Sequence, residues 1–192
     1  MPFTFDEPTW IAHFSEVEGN VDHFYLDGKS LVTIGIGCVV SDPTVLPMAR
    51  RADNVTATPR EIQAEYFAVK AMEPGRASSF YGKCCALYLP ESFILSMFRV
   101  RLAEFVAQVE RAITPLDGYP EAARLVVMDM AFNLGTDGVL RKFPTFTNAF
   151  RAKDWLTASR ECKRTERSAE HPNGISKKRN EWARTALESL IV

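Results

Sequence analysis

Two carboxylic acids stand out for their spacing. Glu18 precedes a glycine, Asp27 follows nine positions later before a second glycine, and Thr33 comes six further on. Hydrolysis of a glycosidic bond needs two carboxyl groups flanking that bond. One is protonated and gives its proton to the leaving oxygen; the other, ionised, activates water or attacks directly. Two acids nine apart are also what an ordinary charged surface offers, so on these residues alone the chemistry stays open. Other constellations are weaker. Cys38, Cys84, Cys85 and Cys162 match no zinc spacing and contain no C-x-x-C. Asp22, His23 and Asp27 are conceivable metal ligands, but no motif supports them, and no metal is expected. A thiol hydrolase built from Cys38 or Cys84 with His13 or His23 also lacks a local motif.

The elements that must position these groups can be read from periodicity. Asp6 to Val17 is predicted as a helix with Asp6 as cap and Pro8 early. Trp10, Ile11, Phe14 and Val17 recur at helical spacing, and Glu18-Gly19 ends it. Phe24 to Leu26 and Leu31 to Ile34 are β-prone, and the link Asp27-Gly28-Lys29-Ser30 has turn chemistry, so a hairpin follows. In Gly35-Ile36-Gly37, glycine permits unusual backbone angles or close approach of a ligand. Residues 39–57 read as irregular. Thr58-Pro59-Arg60-Glu61 is a capping box opening a helix to about Met72, stopped by Pro74-Gly75. A long helix begins near Pro90 with an apolar stripe of Ile94, Phe98, Leu102, Phe105, Val109 and Ile113. The segment from Pro120 to Leu134 is apolar nearly all round, as a central buried helix is. Shorter helices are expected at 145–152, 154–166 and 175–190.

Bulk properties narrow the class. With 192 residues, 46% of them hydrophobic and 24% charged, the chain can bury a core, and it shows no sign of disorder or a repeat array. The net charge of −1 hides an asymmetry: from Arg141 onward there are 12 Lys/Arg against 6 Asp/Glu, and before it 11 against 18. A basic C-terminal part attracts polyanions, or simply reflects solvated helix faces. The N-terminus has no basic, apolar leader, and no stretch is apolar for long enough to span a bilayer. Synthesis in the cytoplasm and four free, mostly buried thiols are the expectations.

The motifs together are more specific than any residue singly. Glu18-Gly19, Tyr25-Leu26-Asp27 and Thr33-Ile34-Gly35-Ile36-Gly37 resemble, without a gap, the active-site signature of phage-type lysozymes, glycoside hydrolase family 24. Met130-Ala131-Phe132-Asn133-Leu134-Gly135 is similar to that family's central helix, and Phe143-Pro144-Thr145-Phe146 to the segment after it. Gly174-Ile175 with Lys177-Lys178-Arg179 is similar to its late basic segment. The likeness covers roughly residues 10–37 and 119–190. It departs at Cys38, where the family usually has His, and the middle of the chain is longer.

The resemblance implies an α+β fold: a small antiparallel hairpin lobe, residues 18–57, packed on a larger helical lobe, residues 1–17 and 58–192, in one lysozyme-like domain with a cleft between the lobes. It implies a muramidase that hydrolyses the β-1,4 bond between N-acetylmuramic acid and N-acetylglucosamine with inversion and without a cofactor. Glu18 would be the general acid, Asp27 the ionised base or electrostatic partner, and Thr33 the residue that positions the attacking water. Gly37, Phe132 and Asn133 would bind saccharide. The partner would be peptidoglycan, met in a periplasm by a monomer, with neither nucleic acid nor membrane involved. The setting is either a phage endolysin or a secreted antibacterial effector, the latter with an immunity protein blocking the cleft. An inactive wall-binding domain and a lytic transglycosylase are the competing readings.

Overall fold

The computed structural model describes residues 6–170 and 174–191. Their fold is α+β, mainly helical with small antiparallel sheets. They divide into two compact units: Ile11–Arg101, and Leu102 onward together with the N-terminal residues through Trp10. The hairpin unit is therefore larger than residues 18–57.

In the hairpin unit, helix α1 (Glu7–Glu18, entering from the other unit) leads to β1 (Val21–Leu26), β2 (Val32–Gly35) and β3 (Cys38–Val39), a sheet in that order. Both hairpins are antiparallel. Gly35 and Gly37 take φ of +64° and +61°, which makes the tight β2–β3 turn. A Cβ on Gly35 would lie 3.0 Å from Ile94, so backbone proximity as well as φ selects glycine there. Strand β3, two residues long, carries too little pattern to be foreseen.

Residues 39–57 are more ordered than their composition suggests. A 3-10 turn over Pro43–Val45 is capped by Asp42, and β4 (Ala49–Arg50) pairs with β5 (Leu87–Tyr88). Helix α2 (Pro59–Lys70) opens with the expected capping box, Thr58 and Glu61 each serving the other's backbone. Within the middle segment the Glu65 carboxylate accepts the backbone N–H groups of Ala86 (2.7 Å) and Leu87 (3.1 Å). Other contacts tie this segment to the hairpin. Tyr66 packs edge-on to buried Phe24, and Leu89 N–H donates to Asp22 O. Helix α3 (Ser78–Gly82) rests on β1 through His23, against whose ring only a glycine fits at Gly82. These bonds place residues 58–101 with the hairpin.

Helix α4 (Glu91–Ala112) bears the foreseen stripe: Ile94, Phe98, Leu102 and Val109 are buried along it, with Ile113 just beyond its end. The second unit is helical. Helix α5 (Glu121–Leu134) is its centre, with Ala123 and every residue from Leu125 to Ala131 buried. It is followed by α6 (Thr136–Lys142), α7 (Pro144–Ala152), α8 (Trp155–Glu161) and α9 (Lys177–Glu188). Tyr119 stacks on Phe150 with centroids 5.0 Å apart, and Trp155 meets both rings edge-on. Within α5, Asp129 is fully buried and faces two arginines: Arg164 Nη2 lies 2.7 Å away and Arg179 Nη2 2.8 Å.

That triad changes the reading of the basic C-terminal part. Arg164 and Arg179 are core residues, and Arg151 donates to the Ile113 and Ala112 carbonyls at the end of α4. Cations at a helix C-terminus are stabilised by its dipole. At least these three charges serve the fold.

Candidate active site

Glu18 is the last residue of α1, because Gly19 adopts φ of +83° and turns the chain into β1. It is half-buried. Asp27 stands just past the far end of β1, and its position is fixed by its own turn. One carboxylate oxygen, Oδ1, accepts the N–H of Lys29 and of Leu31, both at 2.8 Å. The Asp27 N–H bonds the Leu31 carbonyl, extending the ladder, and Ser30 takes φ of +62° to close the loop. Asp27 is thus a turn-former, half-buried, with its second oxygen outside these two bonds.

Cross-strand register puts Tyr25 opposite Thr33, and Thr33 opposite Val39. Since directly opposite side chains share a face and alternate residues do too, Tyr25, Asp27, Thr33 and Val39 belong to one side of the hairpin. Thr33 is 1% exposed, and its hydroxyl proton is given to the Leu31 carbonyl at 3.1 Å. Towards anything else it is an acceptor only.

Tyr25 is where these groups meet electrostatically. Burial pushes its phenol well above the usual tyrosine range. The carboxylates of Glu18 and Asp27 push it further, Cys38 adds to this, and the Arg101 guanidinium opposes them. Arg101, from α4, donates to the Gly37 carbonyl and hydrogen-bonds the Cys38 sulfur. Burial raises the Cys38 thiol, and Arg101 partly offsets that. Where the resembled family carries histidine, this chain has a buried thiol tied to a cation on the long helix. Gly37 is therefore held through its carbonyl.

The structure gathers Glu18, Asp27, Thr33 and Gly37 in the hairpin unit. Phe132 and Asn133 lie on the last turn of α5 in the other unit, Phe132 half-buried with its ring centroid 5.1 Å from that of Phe105, and Asn133 exposed. Tyr25 stood in the quoted signature without a role of its own, and Arg101 was missed, because an arginine beside an apolar helix stripe carries no local signal of a contact 64 positions away.

The Asp22, His23 and Asp27 grouping does not form. Asp22 and His23 sit at the start of β1, where a register shift between Val21 and Tyr25 loosens the ladder, and Asp27 lies beyond its other end. His23 is engaged on both ring nitrogens, by Asp22 Oδ1 and the Ser78 carbonyl, each at 2.9 Å, and Arg51 holds Asp22 at 2.7 Å. Arg51 and His23 keep the Asp22 carboxyl below its usual range although burial, the largest influence, works the other way. Among the described residues no three His, Cys, Asp or Glu side chains cluster to hold a metal. No described helix is long and apolar enough to cross a membrane. The chain matches no protein-family model and no curated protein.

Proposed function

We propose that this chain is a peptidoglycan hydrolase that cleaves the β-1,4 bond between N-acetylmuramic acid and N-acetylglucosamine. One observation carries the reading. Glu18 closes helix α1 and Asp27 is held in the β1–β2 turn by two backbone N–H groups, both in the hairpin unit and each half-buried. Two carboxyl groups held by rigid elements are what glycoside hydrolysis requires.

In this reading Glu18 enters as the protonated acid. A water oxygen bonds the anomeric carbon as the bond from that carbon to the leaving oxygen breaks. The leaving oxygen takes the proton of Glu18, and Asp27 takes a proton from the water. The water adds to the glycan, leaving a reducing end and inverted configuration. The turn fixes Asp27 Oδ1 with two backbone N–H groups and so holds the carboxyl in place. Thr33 serves as an acceptor for water. Saccharide contacts of Gly37, Phe132 and Asn133 rest on the family resemblance alone. So does action in a periplasm, as a phage endolysin or as an effector restrained by an immunity protein.

Glu18→Gln tests this reading. The amide cannot protonate the leaving oxygen, so solubilisation of purified sacculi should fall about 100-fold or more while the melting temperature holds. Clearance near the wild-type rate would refute it.

A further inference from the structure

Helix α2 keeps its acids on one side and shows its cations on the other. Its outer face carries Arg60, Gln63, Ala64, Phe67 and Lys70, continued by Ala71, spaced by three and four residues and all exposed. Glu61 and Glu65 lie off this face and are answered locally. Thr58 and Arg50 hold Glu61, and the Ala86 and Leu87 N–H groups hold Glu65. Asp42, on the turn packed against α2, accepts from Thr44, and Glu73, just past the helix end, pairs with Arg76. Among the described residues, the Arg60 and Lys70 side chains have neither a carboxylate nor a hydrogen-bond partner. The face is therefore locally positive although the chain as a whole is not.

Phe67 stands in the middle of that face and is 54% exposed. One exposed phenylalanine is ordinary on a surface; its surroundings set this one apart. Ala64 and Ala71, one turn to either side, leave the ring without a tall neighbour along the helix. Tyr66 meets it edge-on, with centroids 5.4 Å apart, and Tyr66 is itself packed on the buried Phe24. The Lys70 ammonium lies 6.0 Å from the Phe67 centroid and 5.9 Å from that of Tyr66. An apolar ring is thus offered to solvent from a fixed support, beside a cation.

Arg60 and Lys70 are ten residues apart, about 15 Å along the helix axis, with Phe67 between them. A ligand that answers both cations and the ring must be extended, carry carboxylates at intervals and present a flat apolar surface. A peptidoglycan strand has this chemistry: its pyranose rings have faces of C–H groups, and its peptide stems repeat carboxylates along the polymer.

We propose that this face of α2 is an accessory wall-binding surface, with Phe67 against a sugar ring and Arg60 and Lys70 on stem carboxylates. This deepens the hydrolase reading by giving its substrate a second point of attachment, and rests on that reading for the choice of polymer. Helix α2 lies outside the stretches that resemble phage-type lysozymes. The surface also moves wall attachment away from the basic C-terminal part, where Arg151, Arg164 and Arg179 serve the fold.

The test is co-sedimentation of the full chain with purified sacculi, each protein carrying Glu18→Gln so that the wall is bound rather than digested. Phe67→Ala should weaken binding about tenfold or more, and Lys70→Glu or Arg60→Glu about fivefold each, with melting temperatures held. Higher salt should weaken the parent and narrow its gap to the two charge variants. Arg141→Glu, the same charge change at an exposed site of the other unit, should bind as the parent does. That pattern supports the proposal. Unchanged binding in Phe67→Ala overturns it, and so does an equal loss in Arg141→Glu, which marks attraction by net charge alone. Polyglutamate that displaces the chain from sacculi in wild type and Phe67→Ala alike also overturns it, since the face then suits an acidic protein and not a glycan. Fragment release by the chain with Glu18 intact reports the hydrolase reading separately. Face-dependent binding without release keeps this surface and removes that reading; release without face-dependent binding does the reverse.

Discussion

Asp129 should be the most sensitive polar position in the helical unit. It is fully buried on α5 and answers two arginines that arrive from distant parts of the chain. Arg179 is the better aligned: its Nε lies 2.9 Å from Oδ1 and 3.2 Å from Oδ2. Arg164 Nη2 is close, at 2.7 Å, but without hydrogen-bond alignment, and its Nε has no partner among the described residues. Burial pulls the Arg164 guanidinium below its ordinary value, and Asp129 pulls it back. Removing the carboxylate takes from both buried guanidinium groups the anion they share. Breaking one buried ion pair typically costs about 3–5 kcal/mol, because an uncompensated charge is left inside. Asp129→Ala should therefore cost at least that much. At about 2–4 °C per kcal/mol for a chain of this size, the melting temperature should fall by roughly 6–20 °C. Arg179→Met should cost markedly less, since it leaves Arg164 and Asp129 as a neutral pair. Urea unfolding of the three proteins checks this. An Asp129→Ala variant within about 1 kcal/mol of wild type, or a larger loss in Arg179→Met, would refute the reasoning.

Thiol chemistry offers a second check: Cys38, Cys85 and Cys162 are buried and Cys84 exposed, all four free, with burial raising Cys85 to about 12 and Cys162 to about 11. Ellman's reagent at pH 8 should label one thiol quickly in folded protein and four in denaturant, and a fast second thiol would contradict the burial. The half-buried Glu65 carboxyl titrates above its usual range, because desolvation outweighs the Ala86 and Leu87 N–H groups. Its charged form is thus less favoured folded than unfolded, and its contribution to stability is lost as pH rises from about 4 through the folded value. Wild type should lose stability relative to Glu65→Gln between pH 4 and 7 in urea titrations; a gap that is constant or moves the other way would refute it. Inversion predicts that the first sugar product seen by NMR is the α-anomer, whereas a β-anomer would require a retaining mechanism.

Local signals in the sequence reached far in the hairpin unit. Glu18-Gly19 marked a helix end, Asp27 to Ser30 a turn, and Thr58 with Glu61 a helix start, because each is decided within four or five residues. The stripe on α4 and the all-round apolar α5 were legible for the same reason. The unread parts depend on distance along the chain. Arg179 read as part of a basic run, yet a partner of it is 50 positions away on a helix read as apolar nearly all round. Arg101 meets Gly37 across 64 positions. Residues 58–101 join the hairpin through Leu89 N–H on the Asp22 carbonyl and Tyr66 against Phe24, contacts no periodicity encodes. Helix α6, of seven residues, is too short for its period to register.

The central claim is that Glu18 and Asp27 hydrolyse a glycosidic bond of peptidoglycan. Mass spectrometry of fragments released from purified sacculi tests it most directly, because it reports which bond is cut and what is added across it. The account predicts disaccharide peptides ending in reducing N-acetylmuramic acid, each heavier by one water than the uncut glycan unit, from wild type and not from Glu18→Gln. Anhydro-muramic ends, cleaved peptide stems, or unaltered sacculi would contradict it.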